Sequence, residues 1–287
     1  MRNKIIILGG LGLLGKNLIK TCKERKIPFV SVGKKGCDLN LDLTNISLVS
    51  DMLKNISDET IINATGYTSL NQCEKNYDEC FKINTKIVEN FIENPLRKNF
   101  KFIQISTDQL YKGEKNVLNK EESKIELSNN YAKSKFEAEK IALKDNNNLI
   151  IRTNFTGLKN NKDQTFYEWA LDSIKNHKPV NLFDDMYNST IDVKNASQLI
   201  LKLALKNAQG IFNLGSSDSL SKKEFFLTLA AELKLKFTNY NTLSVGTILP
   251  KRNKNLGLDV SKISNYLLEK LPSSKKVIKN LVNGSSE

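Results

Sequence analysis

This chain is short of the residues that most often announce chemistry. Its 287 residues include one histidine, one tryptophan, five prolines and four cysteines. His177 stands in the polar stretch Lys175-Asn176-His177-Lys178-Pro179. With no second histidine to complete a metal site, it is expected at the exposed end of a helix. Cys22, Cys37, Cys73 and Cys80 contain no C-x-x-C pair, so no zinc or redox motif is written in them. A core of this size needs no staple, and reduced structural cysteines are expected. The longest apolar run, Ile5-Ile6-Ile7-Leu8, is far too short to cross a bilayer. Met1-Arg2-Asn3-Lys4 leads into it without a secretory signal. These absences predict a soluble, cytoplasmic protein with no metal and no membrane partner.

Arginine is scarce as well. Lys and Arg total 44 against 31 Asp and Glu, a formal charge of +13, yet only five of the 44 are Arg. Nucleic-acid sites favour the guanidinium fork for bidentate phosphate and base contacts. The lysines are also scattered, without the like-charge blocks of basic tails. No nucleic-acid partner is expected; what survives is steering of small anionic substrates such as nucleotide diphosphates.

What is present is alternation. Apolar runs with strand character recur at 4–8, 28–32, 60–64, 101–105 and 148–151, then at 179–183 and 211–214. Between them lie stretches with apolar residues three and four apart, such as Leu13, Leu14, Leu18 and Ile19. That order predicts an α/β fold of the doubly wound type, a parallel sheet covered by helices on both faces. Further helices are expected near 165–176 and from Ser221 to Leu233, the latter capped by Ser219 or Ser221. A frayed end is expected at Asn283-Gly284-Ser285-Ser286.

The first strand runs into Gly9-Gly10-Leu11-Gly12-Leu13-Leu14-Gly15 and then a helix. Glycines there permit a tight turn, close approach of backbone N–H groups to a pyrophosphate and packing of helix on strand, with the helix N-terminus facing the anion. Residues 1–152 are therefore expected to form a Rossmann-type NAD(P)-binding domain. Residues 153–287 would be mainly a smaller substrate-binding lobe, with 179–214 returning strands to the sheet. The second strand ends at Ser31-Val32-Gly33-Lys34-Lys35. No carboxylate stands at that tip to hold a ribose 2′-hydroxyl, and two ammonium groups do. This favours a 2′-phosphate, hence NADPH with NADH left open, although Lys34 and Lys35 are equally readable as solvated loop residues.

At Ser106-Thr107-Asp108-Gln109 and Tyr131-Ala132-Lys133-Ser134-Lys135 the chain resembles the extended short-chain dehydrogenase/reductases, and within them the dTDP-4-dehydrorhamnose reductase family. The likeness continues through INATGYTSLNQCE, the later Asn84, IIRTNFTG, FYEWALDSIKNHKPVNLFDDMYNST, GIFNLGSSDSLSKKEF and PKRNKNLGLDVSKI. It implies Thr107, Tyr131 and Lys135 as the catalytic set. It puts Gly9, Gly12, Leu13, Leu14, Asp42, Leu43, Ala64, Thr65, Gly66, Tyr67, Ser106 and the backbone at Arg152 and Thr153 near the cofactor. Asp108, Gln109, Asn154, Phe155, Asp185, Tyr187 and Arg252 fall where the family lines its sugar-nucleotide pocket. A homodimer is open.

Chemistry explains the trio. Tyr131 and Lys135 are one helical turn apart, and a nearby ammonium favours tyrosinate, which suits Tyr131 as a general acid. The Thr107 hydroxyl can donate to the carbonyl oxygen where charge develops. The implied reaction is reduction of a keto group on a nucleotide-diphospho-deoxysugar. Two alternatives stand beside it, a sugar-nucleotide epimerase of the same superfamily and a non-catalytic NADP-binding subunit resembling the regulatory subunit of methionine adenosyltransferase. Dehydration is disfavoured, because Gln109 stands where dehydratases place a glutamate base.

Overall fold

The computed structural model describes residues 4–159 and 163–284. Seven strands form one sheet in the order Gly210–Leu214, Leu149–Thr153, Lys101–Thr107, Thr60–Asn63, Ile5–Leu8, Phe29–Gly33, Leu39–Asn40. The pairings from Lys101–Thr107 through to Leu39–Asn40 are parallel, with Ile5 opposite both Phe29 and Thr60. Strands of the type IIIL are buried on both faces, which is why they read as continuous apolar runs instead of alternating ones. No helix among the described residues is long and apolar enough to cross a membrane.

The chain divides into two compact units that interleave along the sequence. The first takes the residues up to Thr107, Asn129–Arg152 and Ser197–Phe212; the second takes Asp108–Ser128, Thr153–Ala196 and the residues from Asn213 on. A change of unit thus falls at Arg152/Thr153, and four others fall elsewhere.

In the first unit, Leu8, Val32, Leu53, Phe91, Phe102 and Ile150 belong to one fully buried apolar cluster. Helix Asn130–Ala142 is fixed against the sheet by polar groups. Asn148 donates to the Ala142 carbonyl and accepts from the Phe102 amide (2.7 and 2.9 Å). Glu139, on the helix, accepts from Arg152 Nε and a terminal nitrogen at 2.7–3.2 Å, with both side chains 2 % exposed or less. Cys73 and Cys80 correct the expectation of four reduced thiols, since they form a disulfide. Two short helices, Leu70–Lys75 and Tyr77–Phe81, meet at Asn76 and turn the two side chains together. A pairing made by a bend leaves no spacing motif to read. Cys22 and Cys37 are free.

In the second unit the sheets are small. Val180–Phe183 pairs with Tyr240–Leu243, and Tyr187–Asn188 lies between Leu220–Ser221 and Asn255–Leu256. Helices Phe166–Lys175 and Lys222–Glu232 each begin with a capping box, Thr165 with Glu168 and Ser221 with Glu224. Trp169 packs edge-on against Phe226 at 4.8 Å. His177 is exposed with φ +48, just past a helix end. Of the expected frayed end, Asn283 and Gly284 close the last helix, and Ser285 and Ser286 lie outside the described residues.

Replacing Glu139 with Ala leaves the Arg152 guanidinium buried without its counter-charge. A stability loss of about 3–5 kcal/mol is expected in urea unfolding; a loss under about 1 kcal/mol would show that the pair holds nothing.

Candidate active site

The glycine turn is built by contact. Gly9 has φ +79, and a Cβ on it would meet the Thr65 amide at 3.0 Å and Ala64 backbone atoms at 3.1 Å. A Cβ on Gly15 would lie 2.2 Å from the Gly9 carbonyl oxygen. The turn, the tip of strand Thr60–Asn63 and helix Leu13–Glu24 are therefore packed as tightly as backbone allows. Gly12 is the N-cap of that helix and supplies no side-chain hydrogen bond, so the orphan amides of the first turn have no side-chain cap and suit an anion. Leu14 is buried, Leu13 half-buried, and Leu43 points into the core while its carbonyl accepts from Asn90. This cradle fits a dinucleotide pyrophosphate.

At the second strand, Lys34 pairs with Asp42 at 3.2 Å and Lys35 is exposed. The Asp42 carboxylate also accepts from the Thr44 amide and hydroxyl at 3.0 and 2.8 Å. A carboxylate absent from the tip in sequence returns in space. Asp38 accepts from the amide and hydroxyl of Ser31 at 2.8 and 2.7 Å, and these bonds hold it below the usual carboxylate range. An ion pair as exposed as Lys34–Asp42 is worth little, so Lys34 is readily redirected to a ligand.

Thr107, Tyr131 and Lys135 all lie in the first unit, each 9 % exposed or less. The Lys135 ammonium donates to the Ile105 carbonyl at 2.6 Å. Burial pushes it down to about 8, with Glu139 opposing the shift. Tyr131 packs against Cys73 and Cys80, with Tyr67 and Leu70 alongside. The neighbouring hydroxyl of Ser106 is buried and finds no hydrogen-bond partner among the described residues, the signature of a group kept for something absent from the protein itself.

One residue ties the loop after strand Thr60–Asn63 to helix Asn130–Ala142. Asn84 sits in a π-helical turn, Lys82–Lys86, a distortion that recurs at functional sites. Its Oδ1 accepts from the Tyr67 amide at 2.8 Å, and its Nδ2 donates to the Tyr67 carbonyl and to Ser134 Oγ at 3.1 and 2.9 Å. Thr85 adds a bond to the Ser134 carbonyl. Below them Asn63 joins Thr65 to Gln104 across two strand tips. The side chain of Arg152 is buried against Glu139, and its backbone lies in strand Leu149–Thr153. Gly66 is exposed.

The second unit carries the other expected residues. Asp108, 1 % exposed, accepts from Asn154 and Asn188 at 2.9 and 2.6 Å and from Gln109 at 3.3 Å. Burial raises its carboxyl above the ordinary value despite those bonds. Asn188 was invisible in sequence because nothing in its neighbourhood marks an amide as a ligand. Thr153 is buried, with no partner for its hydroxyl among the described residues, and Phe155 is half-buried in a two-residue strand beside Ile191. Asp185 has other duties: it accepts from Ser244 Oγ and the Val245 amide and pairs with Lys254 at 2.6–2.9 Å. Nothing joins it to the Asp108 group among the described residues. Tyr187 is half-buried and opens the strand Tyr187–Asn188, two residues after Asp185. Arg252 is half-buried, and its Nε has no hydrogen-bond partner among the described residues.

Comparison with known proteins adds relatives to this geometry. The model of the RmlD substrate binding domain family matches residues 3–286. A dTDP-4-dehydrorhamnose reductase of Aggregatibacter actinomycetemcomitans is 25% identical over 97% of this chain and 98% of its own. Among solved structures, dTDP-4-dehydrorhamnose reductase of Bacillus anthracis in complex with NADP superposes with TM-score 0.86 at 23% identity, covering 99% of each chain. UDP-glucose 4-epimerase of Thermus thermophilus with NAD gives 0.82 at 14% identity, covering 98% of each.

Asn84→Ala should cost about 1–3 kcal/mol of stability through the buried partners it abandons, and should weaken cofactor binding in a fluorescence titration by loosening Tyr67. Unchanged affinity and unfolding would remove Asn84 from the site.

Proposed function

The chain belongs to the RmlD substrate binding domain family, and on that premise we propose that it reduces a keto group on a nucleotide-diphospho-deoxysugar with NADPH, using Tyr131 as proton donor. The observation that carries this is Lys135, a buried ammonium one helical turn from Tyr131 and bonded to the strand that ends at Thr107. Bound NADPH supplies a hydride to the carbonyl carbon. Tyr131 gives the proton that the oxygen needs. Thr107 donates a hydrogen bond to that oxygen as its negative charge grows, and Lys135 keeps a positive charge beside the phenol and holds the nicotinamide ribose. Gly9, Gly12 and the first turn of the following helix hold the pyrophosphate, and Lys34 and Lys35 the 2′-phosphate. Asp108, Asn154 and Arg252 engage the sugar nucleotide. Both substrates are small, soluble anions of the cell interior, so the same proposal carries a cytoplasmic location; a homodimer is the form to look for by light scattering.

Purified protein mixed with NADPH and a dTDP-4-keto-6-deoxyhexose should oxidise the cofactor. An epimerase returns its hydride and oxidises none in net terms, and a regulatory subunit would bind NADPH without turnover; loss of absorbance separates the three. Tyr131→Phe should lower turnover by about 100-fold or more while retaining NADPH, and undiminished turnover would assign the proton elsewhere. Neutralising Lys34 and Lys35 together should weaken NADPH more than NADH in direct titration. Equal losses would make them surface residues.

A further inference from the structure

Lys222 follows the Ser221 cap in a helix pattern that carries no ligand motif. It is the first residue of helix Lys222–Glu232, and its amide donates to the Met186 carbonyl at 3.1 Å, which fixes its backbone one residue from the Tyr187–Asn188 strand. Its ammonium stands 4.0 Å from the centre of the Phe166 ring. Among the described residues it makes no hydrogen bond and no ion pair within 4.0 Å. Its charged neighbours are Asp108, which attracts it, and Arg252, which repels it.

That arrangement is poor as a scaffold. Asp108 already accepts from three amides, and its attraction for Lys222 acts at longer range. Lys222 and Arg252 are two cations placed where burial disfavours both, pushing Lys222 down to about 8 and Arg252 below its ordinary value. Neither the Lys222 ammonium nor Arg252 Nε has an acceptor among the described residues. Each cation lacks an acceptor and each lies in the other's field, so an anion with several oxygens relieves both the missing partners and the repulsion. A cation–π contact contributes attraction without using any of the ammonium's three donors, which leaves them for a ligand.

We infer that Lys222, held over Phe166 and set beside Arg252, is a phosphate ligand that binds the diphosphate of the nucleotide sugar. The inference rests on the proposed function for the identity of the anion. The geometry by itself asks only for a multidentate one. Lys222 thereby becomes a specificity residue for the diphosphate, with Asp108 and its three amides setting the place of the ammonium's counter-charge.

The test uses inorganic pyrophosphate as probe and protein saturated with NADPH, so that the glycine turn's own anion site is filled. Calorimetric titration should show pyrophosphate binding to the wild type, about tenfold or more weaker binding to Lys222→Met, and near-wild-type binding to Lys222→Arg. NADPH affinity should be the same in all three. Lys222→Gln serves if the Met variant does not fold. Equal pyrophosphate affinity in wild type and variants, or no binding to the wild type, overturns the inference. The reductase proposal is judged separately by NADPH oxidation with keto sugars. If no keto sugar is reduced and pyrophosphate affinity still depends on Lys222, the anion site stands and the substrate assignment falls. If reduction proceeds with the same KM in wild type and Lys222→Met, the reverse holds.

Discussion

Glu139 is the group on which the first unit turns. It is buried, it holds Arg152 through two nitrogens, and one turn earlier on the same helix stands Lys135, whose positive charge it supports. A carboxylate taken out of water needs both a counter-charge and hydrogen bonds to persist, and Arg152 supplies both from the end of strand Leu149–Thr153. The pair therefore does more than dock a helix. It sets the axial position of Tyr131 and Lys135 against the strand that ends at Thr107, and it keeps negative charge near an ammonium that burial would otherwise neutralise more deeply.

Most of the remaining buried polar work is done by asparagine. Asn63, Asn84, Asn90 and Asn148 each bridge two segments of the first unit; Asn119, Asn213 and Asn253 do the same in the second, where Asn253 donates to the carbonyls of Tyr111 and Glu126. An amide offers donor and acceptor together without the desolvation cost of a charge. This resolves the opening arithmetic. A chain with 44 cations and few arginines keeps nearly all of its charge at the surface, and its interior is organised by neutral groups with a handful of buried ions at defined places.

The same fact explains what was legible. Strands buried on both faces show as apolar runs, the glycine turn shows because only glycine tolerates those approaches, and a cap at Ser219 or Ser221 shows from the helix that follows, the structure choosing Ser221. Tyr131 and Lys135 show because one helical turn fixes their relation. Contacts between distant segments carry no such period. Asp38 reaches Ser31 only because Gly33–Cys37 folds back, Cys73 meets Cys80 through a bend at Asn76, and Asn188 finds Asp108 across 80 positions of chain. Asp185 shows what a motif leaves out: its carboxylate also braces a loop by accepting from Ser244 and the Val245 amide.

The two units can also be compared by how completely they satisfy charges held wholly or partly out of water, Lys222 and Arg252 being half-buried. In the first, Glu139, Arg152 and Lys135 each have a hydrogen-bond partner within the protein. In the second, Asp108 is satisfied by amides while Lys222 lacks any acceptor among the described residues and Arg252 Nε does too. Buried ions with full partners cost least when nothing is bound, which suits a scaffold that must hold Tyr131 steady through every turnover. Cations without acceptors are costly until an anion binds, and that cost is returned as affinity. Arg97 of the first unit, which pairs with Asp145 yet leaves Nη1 without a partner among the described residues, shows that one orphan nitrogen does not mark recognition; what sets Lys222 apart is that its whole ammonium lacks an acceptor there.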